Sequence, residues 1–327
     1  MIGPHTGFLP DPDRARAVDE AVHLALADSL DHVAGACRAA PAAVGVADTL
    51  DGPVAAIRAG GRVPPQGFGL YYELVEQLVA DRIEAAHRTA LQLAAVGQRP
   101  AGLALHRRGA ARELDRVFDL RMGPGAARFH PIPLKMQDDF PPLLDAGLDL
   151  LDRGAPALAG ENRAILSDIV LAQAPPGAAR EFDGASHYQF WGLLLLNPRH
   201  HRTPLAVAEV LAHEAGHSLL FGLTRDEPLV HNHDSALYPS PLRVDPRPMD
   251  GIYHATFVSA RMAWAMEVLA DSGVLTAAEQ AQARIEAAKD RANFAMGLSV
   301  VQAEGDLSAT GAQIMDGAIR AMRDGWT

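Results

Sequence analysis

Apolar residues recur at helical spacing through most of the first half of the chain. From about Asp13 to Ala40 they fall three and four positions apart, with Asp11 or Asp13 available as a cap. The stretch "GGRVPPQGFG" (residues 60–69) breaks that pattern. Beyond it the spacing predicts one long amphipathic helix from roughly Leu70 to Ala95, with Leu74, Val75, Leu78, Val79 and Ile83 toward one side. Further helices are predicted near Arg107–Leu120 and in "PPLLDAGLDLLDRG" (residues 141–154). No repeat period runs through the chain.

The middle of the chain changes character. "RAILSDIVLAQAP" and "SHYQFWGLLLLNP" read as two strands bounded by Gly, Pro and Asn. The second is continuously apolar, which places it in the interior of a small sheet. Thr203-Pro204 then opens a helix, Thr as N-cap and Pro at the first helical position. That helix runs to about Leu223 and is apolar nearly all round, so it is buried. After a Pro-rich connector, "MDGIYHATFVSARMAWAMEVLAD" reads as a second buried helix. Two surface helices close the chain, the first opened by a capping box, Thr276-x-x-Glu279. The expected fold is α+β and predominantly α-helical, with a buried helix next to a small β-sheet. The expected division is a mainly helical N-terminal region, 1–140, and a catalytic region, 141–327.

Composition narrows the partners. The formal net charge of -11 argues against nucleic acid, which needs a basic face. One cysteine, Cys37, excludes an intrachain disulfide and fits a reducing cytoplasm; among Ala and Gly on a helix it reads as a small core residue. The first residues lack the basic and apolar regions of a signal peptide, and no apolar run is long enough to span a bilayer.

The candidate chemistry lies in the first buried helix, where "LAHEAGHSLL" holds His213, Glu214 and His217 in the order H-E-x-x-H. Residues four apart share one helical face, so His213 and His217 can chelate one ion, Zn(II) or Fe(II). Eight of the fourteen histidines fall between His187 and His254, as a metal site would produce. Three ionisable groups on a buried helix without a ligand would be costly.

The third ligand decides the chemistry. The His of a metzincin would fall at position 223, which holds Leu223. Glu267 in "EVLAD" suits a zinc peptidase with Glu214 as general base. His254 is the rival, 13 residues earlier on the same predicted helix and therefore about 20 Å away, so the two exclude each other. Arg261 nearly eclipses His254 on that helix, and its planar fork suits either a carboxylate ligand or a structural ion pair. His231, His233, Arg243 and Arg247 lie in the connector; the two histidines read as a solvated pair. Asp226 and Glu227, just past the metal helix, read as surface residues.

"LAVAEVLAHEAGHSLL" followed by "YPSPLRVDPRPMDGIYHATFVSARMAW" resembles the HExxH-motif peptide-modification family found near ribosomal peptide natural-product gene clusters, the 2-oxoglutarate-dependent HExxH-type peptide β-hydroxylases. The likeness covers roughly residues 190–265, and its Arg- and Pro-containing part is more specific than HExxH. It implies a mononuclear Fe(II) centre held by His213, His217 and His254. It also implies O2 and 2-oxoglutarate as co-substrates, a peptide substrate such as a precursor peptide, and succinate and CO2 as co-products. Glu214 then sits beside the metal or the substrate rather than acting as a hydrolytic base. The far carboxylate of 2-oxoglutarate needs a cation: Arg261 first, then Arg247 or Arg243. No leader-recognition element stands out in the N-terminal helices.

Overall fold

The structure is a computed structural model that describes residues 7–99, 102–178, 181–240, 242 and 245–324. In chain order its elements are α1 (Pro12–Arg38), α2 (Val44–Arg58), α3 (Pro65–Val79), α4 (Ile83–Ala95), β1 (Ala104–Arg107), α5 (Arg112–Met122), α6 (Leu134–Gly154), α7 (Pro156–Ile165), β2 (Asp168–Leu171), β3 (Gly184–Ser186), β4 (Leu193–Leu196), α8 (Pro204–Leu223), α9 (Met249–Asp271), α10 (Ala277–Glu304) and α11 (Ala309–Asp324). The fold is α+β and predominantly helical. Among the described residues no helix is long and apolar enough to cross a membrane.

The chain forms two compact units, each assembled from separated stretches. One contains residues 1–18, 139–164 and 200–327; the other contains residues 19–138 and 165–199. The metal-motif helix α8 belongs to the first unit and all four strands to the second.

The second unit is built on a sheet of order β1-β2-β4-β3, in which β1, β2 and β4 are parallel and β3 is antiparallel. Both faces of β2 and β4 are buried, which explains their continuous Ile, Val and Leu. Gly192 feeds β4 with φ of +87°, and its carbonyl accepts from the amides of Ser167 and Asp168 at 2.9 and 3.1 Å. A Cβ there would lie 2.8 Å from Ser167 Oγ, so glycine is required.

Two expectations change in this unit. The helix expected over 70–95 is a pair, α3 and α4, broken where Asp81 adopts a left-handed φ of +55°. Asp tolerates that conformation better than most side chains, and the Asp81 and Arg82 amides close the end of α3 on Leu78 and Gln77 carbonyls. The helix expected from Arg107 begins at Arg112, because residues 104–107 pair with β2 and Gly109, with φ of +88°, turns the chain between them.

In the first unit the starts of α8 and α10 fall where the sequence marks them. Thr203 Oγ1 accepts the Ala206 amide at 3.1 Å to cap α8, and both halves of the Thr276–Glu279 capping box form at α10. α6 lies against the start of α8 at Gly147, where a Cβ would meet Val207 Cγ1 at 2.4 Å. Cys37, in the other unit, is buried and free, as its surroundings suggested.

Candidate metal centre

α8 and α9 lie side by side in opposite directions. His213 meets Met262, Gly216 meets Val258, and His217 and Phe221 both meet His254. On α9 the contacting residues are 254, 258 and 262, one face at successive turns. The approach depends on Gly216, inside the HExxH motif: a Cβ there would lie 3.1 Å from Val258 Cγ1, already tight. A larger residue between Glu214 and His217 would push α9, and His254 with it, away from α8.

Three imidazoles therefore come together. His213 Nε2 lies 3.1 Å from His217 Nε2, their rings 4.8 Å apart and inclined at 69°. His217 Nδ1 lies 2.9 Å from His254 Nδ1, with the rings stacked at 5.2 Å and 18°. On its other side His213 Nδ1 is 3.4 Å from Met262 Sδ. A thioether sulfur only accepts, so that contact favours the tautomer with the proton on Nδ1 and the lone pair on Nε2. One proton likewise serves the His217–His254 contact. Burial pushes the His254 imidazole below the ordinary histidine range, against an opposing pull from Asp250. It is thereby kept neutral, the form that accepts a hydrogen bond or binds a metal.

The donor set fits a metal ion in chemistry and spacing. Two nitrogens at about 2.1 Å from one ion, at right or tetrahedral angles, stand about 3.0–3.4 Å apart, and the His213–His217 separation of 3.1 Å falls in that interval. As they stand, the three rings form a chain rather than converging on a point, and no group of three or more His, Cys, Asp or Glu among the described residues converges as a ready cage. His254 touches His217 at the nitrogen remote from His213. In that position it either becomes a ligand after a ring rotation or holds the ligand His217 in orientation.

Glu214 is 2% exposed, with Oε1 3.8 Å from His213 Nε2. The carboxylate thus lies beside the lone pair that would bind metal. Glu267, the rival third ligand, is elsewhere: its carboxylate forms a two-pronged ion pair with Arg291 of α10, the Nη2–Oε2 contact at 2.8 Å and the second through Nε.

Arg261 forms an ion pair, one of the two roles that its planar fork suits. It is 0% exposed; its guanidinium is paired with Glu161 on α7 and donates to the Phe8 carbonyl at 2.6 Å. Arg14 reaches the other oxygen of Glu161 at 3.0 Å. Arg247 is half-buried and pairs through its backbone with Tyr238; among the described residues its side chain has no ion-pair partner. Arg243 lies outside the described residues. His231 and His233 are exposed, the latter bonded to Ser235, as a solvated loop pair would be.

Gly216, Phe221 and Met262 were not singled out by the sequence reading. Met262 follows His254 by eight residues, so its place on the His254 face was available once α9 was known to be a helix. What the sequence lacked was the antiparallel pairing with α8. Comparison with known proteins adds no relative: no protein-family model matches the chain, and no curated protein matches it.

Proposed function

We propose that the chain is an Fe(II)- and 2-oxoglutarate-dependent hydroxylase that acts on the β-carbon of a residue in a peptide, using O2, in the tailoring of a ribosomal peptide in the cytoplasm. The observation that carries this reading is which end of α9 reaches the HExxH pair. His254 contacts His217 at 2.9 Å, whereas Glu267 is committed to Arg291. A three-histidine set leaves positions for a bidentate co-substrate and O2.

His213 and His217 would hold the metal through Nε2, and His254 would complete the set after a ring rotation. When bound, the iron and 2-oxoglutarate supply the oxidising power, with loss of CO2 and formation of succinate. The rest is the work of this chain's own side chains. Met262 fixes the proton of His213 on Nδ1 and leaves Nε2 available. Phe221, Val258 and Met262 give the histidines an apolar surround that limits water. Arg247 is the cation that takes the far carboxylate of 2-oxoglutarate, with Arg243 four residues before it; Arg261 is spoken for by Glu161. Glu214 positions rather than activates.

One observation favours the alternative, a zinc peptidase. A buried carboxylate 3.8 Å from a ligating nitrogen is where a general base for water belongs. That reading requires Glu267 to leave Arg291. The test is protein purified anaerobically and assayed with Fe(II), 2-oxoglutarate, O2 and candidate peptides. Peptide-dependent succinate supports the hydroxylase; peptide cleavage under Zn(II) without succinate overturns it.

A further inference from the structure

Residues 7–9, ahead of α1, belong to the same unit as the metal centre and are held there by side chains. Each of their three carbonyls accepts from a guanidinium. Gly7 and Leu9 accept from Arg14, the latter at 2.8 Å, and Phe8 accepts from Arg261 at 2.6 Å. Both guanidiniums also pair with Glu161, one at each of its oxygens. Two such forks carry more N–H donors than one carboxylate can accept, and the three carbonyls take up part of the excess.

The Phe8 ring anchors the segment and is 3% exposed. It meets the Phe257 ring in a T-shaped contact at 5.7 Å and 80°, and the Arg261 guanidinium lies over it, 5.9 Å from its centre. Gly317 of α11 packs against the base of this side chain, where a Cβ would lie 3.4 Å from Phe8 Cβ.

The two ring partners of Phe8 also face the metal-motif helix. Around a Cβ placed on Gly216, inside HExxH, the nearest atoms are Val258 Cγ1 at 3.1 Å, Arg261 Cγ at 3.7 Å and Phe257 Cε1 at 3.8 Å. His254, which stacks on His217, stands one helical turn before Val258.

We propose that residues 7–9 form a strap that holds α9 in register on α8, and that Phe8 is a positioning residue for the metal centre. The strap grips α9 at the residues that touch the HExxH helix. In a close-packed interior a shift at Phe8 passes through Phe257 and Arg261 to the spacing of His254 and His217. The inference rests on metal binding by the HExxH pair, the part common to the hydroxylase and the peptidase, and holds for either reaction.

The test is a titration of the full chain with Co(II) alone, whose visible absorption reads both affinity and ligand geometry. The comparison variant is Leu50→Ala, a truncation of a fully buried side chain in the other unit, which lowers stability far from the strap in sequence. Phe8→Ala is expected to lose up to about tenfold in affinity, the low end for a group that supports a ligand, and to shift the absorption bands. Phe8→Leu keeps apolar bulk and is expected to shift both less; it decides the matter if the alanine variant folds poorly. Leu50→Ala is expected to keep the parent's affinity and bands. Parent-like affinity and bands in both Phe8 variants, or an equal loss in Leu50→Ala, would overturn the strap and leave the metal centre standing. A parent that binds no Co(II) would overturn the metal centre itself, and the strap's role with it.

Discussion

The two ends of α9 carry the two residues that compete for the third place beside the HExxH pair, and they are tied down in opposite ways. His254 is 8% exposed, kept toward the neutral form by burial, and its hydrogen-bond contact among the described residues is another imidazole, that of His217. Glu267 is charged, partly exposed, and engaged by both prongs of Arg291. A neutral ring exchanges a weak hydrogen bond for a metal at small cost. A carboxylate in a two-pronged pair gives up its partner and strands an arginine. The difference shows that a residue's type and spacing do not make it a ligand; the strength of the bond it would abandon also counts. Arg261 adds a case from the middle of the helix, where a buried bond to Glu161 holds its guanidinium.

The largest expected effect breaks the near end of the comparison. His213→Ala or His217→Ala should take bound Fe(II) to background, more than the roughly 10–100-fold that loss of a supporting residue costs. Equilibrium binding with Fe(II) under argon reads it. Arg261→Ala tests the middle. Leaving Glu161 buried with only Arg14 should cost about 3–5 kcal/mol of unfolding free energy, measured by urea titration. 2-Oxoglutarate affinity in the folded fraction should be unchanged. A stable variant that no longer binds 2-oxoglutarate would return Arg261 to the site.

Acid should weaken the near end alone. The folded His254 imidazole titrates below its ordinary 6.5, so below that pH the unfolded chain takes up a proton that the folded chain refuses. Stability contributed by the neutral ring is full above 6.5 and is lost as pH falls below it, by up to about 1.4 kcal/mol per unit. His254→Asn should make the metal-free protein's stability profile shallower between pH 6.5 and 5. The smallest effect is Gly216→Ala. The added methyl meets Val258 at 3.1 Å, and gains of about 1 kcal/mol from helix propensity offset most of the crowding. Gly216→Val should cost more and lower metal affinity.

The sequence reveals the parts of this site that depend on local signals. Thr203-Pro204, the Pro-rich lead into Met249 and the Thr276 capping box mark the helices that carry it, and the spacing of His213 and His217 puts both on one face. The run of four leucines in β4 marks an interior strand. What stayed hidden depends on distant partners. Glu161 lies 100 residues from Arg261 and Arg291 lies 24 from Glu267; no periodicity links them. The break at Asp81 was hidden for a local reason, since a left-handed aspartate leaves the apolar spacing on either side intact.

The most direct test is a parallel Fe(II) titration of His254→Ala and Glu267→Gln under argon. His254→Ala is expected to lose about 10–100-fold in affinity. Glu267→Gln is expected to keep parent-like affinity and to show only the modest destabilisation of a partly exposed ion pair, up to about 1 kcal/mol. Parent-like affinity in His254→Ala, with the loss in Glu267→Gln instead, would contradict the place given to His254.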